Sequence, residues 1–126
     1  MEQDFYVARL RDKFGLTVVV PDEAGRGVVH GIIYQELCNG IVQEPSCETY
    51  YRVIASLKSA GVECLILGCT EIGLLLDEKE VEERCGLPLF DTTKIHAVAA
   101  VDWAMEAGDQ DRDREADVSN TKTKCA

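Results

Sequence analysis

Apolar and polar positions along this chain change period several times, and each change marks an element. Phe5, Ala8, Leu10 and Phe14 recur near helical spacing, and Gly15 supplies a stop, so 2–13 reads as a helix. The run over 16–20 is rich in β-branched residues and predicts a buried strand. Pro21-Asp22 opens a turn, and a helix follows from Ala24 or Gly27 to Cys38, ended by Asn39-Gly40. Pro45-Ser46 begins the next helix with Ser46 as its N-cap; Tyr50, Val53, Ile54 and Leu57 form its core stripe and Gly61 terminates it. Residues 64–67 form a short buried strand, after which a tight turn and a short helical piece reach Leu76. The stretch 77–84 is dominated by charge and predicts a solvated helical turn. A short strand over 87–90 follows, and Thr92 or Thr93 caps a last helix carrying Ile95, Val98, Ala99, Val101 and Trp103.

Strands alternating with helices predict an α/β architecture with a short parallel sheet. From Gly108 the pattern is lost: 109–117 mixes acidic and basic residues around a single alanine. Such a run cannot bury enough surface to order itself, so 108–126 is expected to be a disordered acidic tail. The length of 126 residues holds one domain, and an apolar content of 46% is ordinary for a globular core. The net charge of −10 argues against nucleic acid and anionic membrane surfaces as partners. No apolar run approaches a membrane span, and no basic segment precedes an apolar one at the N-terminus, so a cytoplasmic location is expected. The six cysteines form no CxxC pair, which favours reduced thiols over a disulfide framework or a redox pair. Two distant histidines and no close cysteine pair leave no metal-ligand cluster, so no metal is expected.

The chemistry concentrates at Ile66-Leu67-Gly68-Cys69-Thr70-Glu71-Ile72-Gly73. A cysteine here sits where an apolar strand ends and the chain turns, the end at which open α/β sheets place their ligands. The ordinary alternative is a buried, inert thiol at a tight turn, since one cysteine has no chemistry without a partner. With a glycine before it and N–H donors after it, Cys69 is expected to be the most thiolate-like of the six cysteines. Thr70 and the following N–H groups suit a carboxylate, or simply cap the turn. Glu71 serves either as a relay beside the thiol or as a charge on the first helical turn.

The wording of this segment resembles the second cysteine motif of the aspartate/glutamate racemases. Two further stretches resemble the same family: His30-Gly31-Ile32-Ile33-Tyr34-Gln35-Glu36-Leu37-Cys38-Asn39-Gly40, and Asp91-Thr92-Thr93-Lys94-Ile95-His96-Ala97. The resemblance runs from Met1 to about Ala107. It implies a Rossmann/flavodoxin-like lobe over 1–107, the second of two similar lobes, lacking its own first strand and the partner lobe. It implies inversion of an acidic amino acid without a cofactor, Cys69 acting as one of two proton-transferring sulfurs on opposite faces of the α-carbon. Thr70, Glu71, Thr92, Thr93 and His96 are then the substrate-binding residues. No other cysteine of this chain sits in a matching motif; a homodimer would be one way to bring a second Cys69 to the site. The chain also departs from the pattern: where some members carry a lysine for the substrate's side-chain carboxylate, Val28 stands, with Arg26 two residues earlier. A non-catalytic ligand-binding or dimerising remnant of the same fold is the competing reading.

Overall fold

The computed structural model describes the backbone of residues 3–121 and the side chains of residues 3–106. It falls into two compact units, Met1–Thr92 and Thr93–Ala126. Among the described residues, five α-helices, two 3-10 turns and two strands follow one another in a mixed α/β order.

Helix α1 (Asp4–Phe14) ends at Gly15, whose φ of 67° lets its N–H close the last turn onto Arg11. Its apolar positions do not make a buried stripe: Phe5 and Phe14 are exposed. The strand expected over 16–20 does not form, and Leu16 and Val19 are exposed. β-Branched residues favour an extended backbone but cannot make a strand without a neighbouring strand to pair with.

Helix α2 (Glu23–Gln35) starts one residue before Ala24, the earlier of the two expected starts, because Asp22 caps it by accepting from the Gly25 N–H at 2.8 Å. It ends before Cys38. Asn39 donates its amide to the carbonyls of Tyr34 and Gln35, and a 3-10 turn over Leu37–Asn39 takes over. Helix α3 (Glu44–Ser59) likewise begins ahead of Ser46, at Gln43, with no side-chain cap. Ser46 is instead buried within the helix, donating to the Glu36 carboxylate.

Strands β1 (Leu65–Leu67) and β2 (Leu89–Asp91) pair in parallel, with Ile66 opposite Phe90 and Leu67 opposite Asp91. Leu65, Leu67 and Leu89 point into the core, whereas Ile66 and Phe90 are exposed at 41% and 43%. The sheet therefore buries one face only, unlike most parallel sheets.

The crossover between the strands carries helix α4 (Glu78–Cys85), a correction to the expected solvated turn. Asp77 caps it by accepting from the N–H groups of Lys79 and Glu80, and Val81 is completely buried. Arg84 binds α4 to α3 through both Glu48 carboxylate oxygens, 2.8 and 3.0 Å away, and stacks 3.6 Å from the Tyr51 ring. One core gathers Val29, Ile32 and Ile33 of α2, Tyr50, Tyr51 and Ile54 of α3, the inward residues of both strands, and Val81.

Helix α5 (Thr92–Thr121) carries Ile95, Val98, Val101 and Trp103 as expected, all of them exposed. The expected disordered tail, 108–126, lies outside the described residues for its side chains, and wholly so over 122–126.

Candidate functional site

Gly68, Cys69, Thr70 and Glu71 form the loop that leaves the carboxyl end of β1. Gly68 is not in the left-handed region, and a Cβ placed on it would meet nothing within 4 Å. Its role is thus not a strained turn; it leaves open space beside the cysteine. The chain after the loop makes only a 3-10 turn, Ile72–Leu74, rather than a helix. So short a turn has almost no dipole to stabilise a thiolate.

The half-buried Cys69 thiol donates to Glu71 Oε2 at 2.8 Å. Burial pushes the thiol above its ordinary value, the Glu71 carboxylate pushes it further by accepting the S–H, and the Glu71 backbone N–H opposes the shift more weakly. Glu71 is held below the usual carboxylate range, first by the Cys69 thiol and then by the Thr70 hydroxyl. Both directions leave the proton on sulfur. The expectation that Cys69 is the most thiolate-like cysteine is therefore corrected: with no helix terminus and an acceptor carboxylate as neighbour, it is held as a thiol.

Two further contacts shape this loop. Thr92 donates its hydroxyl to the Leu67 carbonyl at 2.7 Å, tying the end of β1 to the residue after β2. Thr92 thus satisfies a strand-end carbonyl instead of capping the helix. A Cβ on Gly73 would lie 2.7 Å from Asp91 Oδ2, so the glycine of one motif makes room for the aspartate of another. Leu67 and Asp91 are register partners, which explains why segments so far apart in sequence meet.

Cys69, Thr70 and Glu71 are thus brought together, with Thr92 anchored two residues before the cysteine. Thr93 and His96 lie in the other unit, exposed on the first turns of α5. Val28 is exposed, and Arg26 donates to the Pro21 carbonyl at 2.8 Å, which directs its guanidinium to its own helix start. Sequence reasoning missed Cys38, whose ionisation would push the Cys69 thiol up further, and Tyr50, whose phenol is pushed up by burial first and then by ionised Cys69 and Glu36. A cysteine at a helix end and a tyrosine in a core stripe give no sequence signal for such proximity. Among the described residues, no group of three or more His, Cys, Asp or Glu side chains is placed to hold a metal, and no helix is long and apolar enough to cross a membrane.

A thiol, a carboxylate and a hydroxyl at a strand's carboxyl end can hold and move one proton beside an open loop. Comparison with known proteins agrees with the motifs. Residues 2–100 match the family model described as Asp/Glu/Hydantoin racemase. Over 82% of its length the chain is similar to the crystal structure of a Yersinia pestis protein assigned as an Asp/Glu racemase, with 48% identity and a TM-score of 0.73. It spans 44% of the length of that relative. The chain belongs to the Asp/Glu/hydantoin racemase family.

Proposed function

We propose that this chain is the part of a cofactor-independent amino-acid racemase that carries one of its two proton-transferring sulfurs, Cys69. The observation that carries the reading is the Cys69 thiol donating to Glu71 at the carboxyl end of β1. Racemisation of an α-carbon needs an acid on one face and a base on the other. A buried thiol against a carboxylate is suited to the acid: the S–H bond breaks as a C–H bond forms, and the thiolate left behind takes its proton back through Glu71 or water. Thr70 and the loop N–H groups are suited to the substrate's α-carboxylate, with Thr92 beside them. An acidic amino acid is the substrate class.

Aspartate and glutamate, added to the purified chain, should slow alkylation of Cys69 and of no other cysteine, whereas leucine should not. Equal alkylation with and without the acidic amino acids would sink the substrate assignment. With a single sulfur of this kind per chain, we expect no interconversion of L- and D-aspartate or glutamate by the 126-residue polypeptide alone. Racemisation that disappears in Cys69→Ala would overturn that expectation and favour a homodimeric site.

An amino acid without a side-chain carboxylate is the second reading, and Val28 favours it. That position holds no cation for a second carboxylate, and Arg26 is engaged at Pro21.

A further inference from the structure

Gly73 lies in the 3-10 turn that follows the cysteine loop, and its φ is not in the left-handed region. Its backbone would therefore accept any residue, and space is what forbids one. A Cβ on it would stand 2.7 Å from Asp91 Oδ2, inside van der Waals contact. The half-buried Asp91 closes β2, and its register partner Leu67 closes β1. The next residue, Thr92, donates to the Leu67 carbonyl at 2.7 Å. Two consecutive residues thus hold the cysteine loop at both ends: Thr92 where it leaves the strand, Asp91 where it enters the turn. That turn is closed by the Leu74 N–H donating to the Glu71 carbonyl at 3.0 Å. Gly73 lies inside the closure, so a shift of its backbone is also a shift of Glu71. Glu71 in turn holds the Cys69 thiol at 2.8 Å.

We propose that Asp91 is a positioning residue for the Cys69–Glu71 pair, its carboxylate seating the 3-10 turn at Gly73 so that the Glu71 oxygen stays on the sulfur. The glycine is the complementary half of the device, leaving the space that the carboxylate fills. The Cys69 thiol is pushed up by burial first, then by Glu71 and, more weakly, by an ionised Cys38. Asp91 acts on the sulfur through the place it gives Glu71, by shape and not by its own charge. The inference rests on Cys69 being the working sulfur of the proposed function, but its test requires no turnover.

The test is a double-mutant cycle in the full chain: Gly73→Ala, Asp91→Ala and the pair together, with Asp91→Asn beside them. Iodoacetamide alkylation is read per cysteine by mass spectrometry across a pH series, next to thermal unfolding. Either single alanine should let Glu71 drift from the sulfur. The Cys69 profile should then move to lower pH by about half a unit, an approximately threefold faster reaction at fixed mildly alkaline pH, while Cys64 keeps its profile. The pair should shift Cys69 no further than one substitution does, because both break a single contact. Asp91→Asn keeps the shape and should keep the parental profile. Unmoved Cys69 profiles in the single variants overturn the proposal. Shifts that add in the pair also overturn it, since the two positions would then act independently. An Asp91→Asn shift as large as that of Asp91→Ala overturns it too, because the effect would be one of charge. If Gly73→Ala unfolds the chain, a pair that folds supports the close approach, and a pair that stays unfolded counts against it. Failure of the acidic amino acids to protect Cys69 would sink the proposed substrate and leave this cycle untouched.

Discussion

The Cys69 sulfur and the Glu71 carboxylate share one proton across 2.8 Å, and that proton resides on sulfur. Burial is the larger cause of the raised thiol, and Glu71 the next. Glu71→Gln keeps the burial and removes the charge, so the Cys69 alkylation profile should move to lower pH. A Glu71→Gln profile identical to that of the parent would mean that the carboxylate does not govern the thiol.

Thr92 and Leu67 form the joint on which the loop hangs. Thr92→Val keeps the shape and removes the donor, leaving the β1 carbonyl unpaired in a half-buried place. Stability should fall by about 1–2 kcal/mol, with Thr92→Ser recovering most of it. Urea midpoints at constant m-value give the measurement. A midpoint unchanged in Thr92→Val would show that water replaces the hydroxyl without loss.

Val81 is the one fully buried side chain of α4. Val81→Ala should cost roughly 2 kcal/mol in the same assay, from lost transfer energy and the cavity left behind. Alanine at the exposed Glu82 or Glu83 should change stability by less than about 0.5 kcal/mol. Equal effects at all three positions would mean that α4 does not dock through Val81.

The fold should weaken in alkali. Burial, then Glu80, pushes the Tyr51 phenol from 10 to about 12. Between those values the unfolded chain has released this proton and the folded chain has not, so the unfolded state binds fewer protons. The contribution of Tyr51 should therefore be full below pH 10 and decline as pH rises towards 12. Tyr50, Cys47 and Cys69 are shifted in the same direction and add to the decline. Urea midpoints across this window should fall less steeply for Tyr51→Phe; parallel slopes would remove Tyr51 from the account.

Much of the architecture was legible from residue pattern alone. The α3 stripe, both strands of the sheet and the glycine stop at Gly15 all fall where periodicity and turn chemistry put them. The failures share a cause. The run over 16–20 has the composition of a strand, but whether it becomes one depends on a neighbour that no local pattern reports. Val81 stands alone among charges, so its stretch reads as solvent-facing, yet one valine per two turns suffices to dock a short helix. Ser46 has the chemistry of a cap and is used instead to bond Glu36. At the site, the motif brought Cys69, Thr70 and Glu71 into view together. The state of the thiol was not legible, because it depends on burial and on where one carboxylate oxygen points.

Gly68 separates two quantities that usually move together when a site is mutated. A methyl group there meets no other atom and needs no unusual backbone, so Gly68→Ala should leave folding intact. The same methyl group stands one residue from the reactive sulfur, in open space. Side chains of increasing bulk at this position should therefore act as a graded sieve. Small alkylating agents should pass when large ones no longer do, at constant melting temperature, turning access to Cys69 into a property that can be set independently of the fold that supports it.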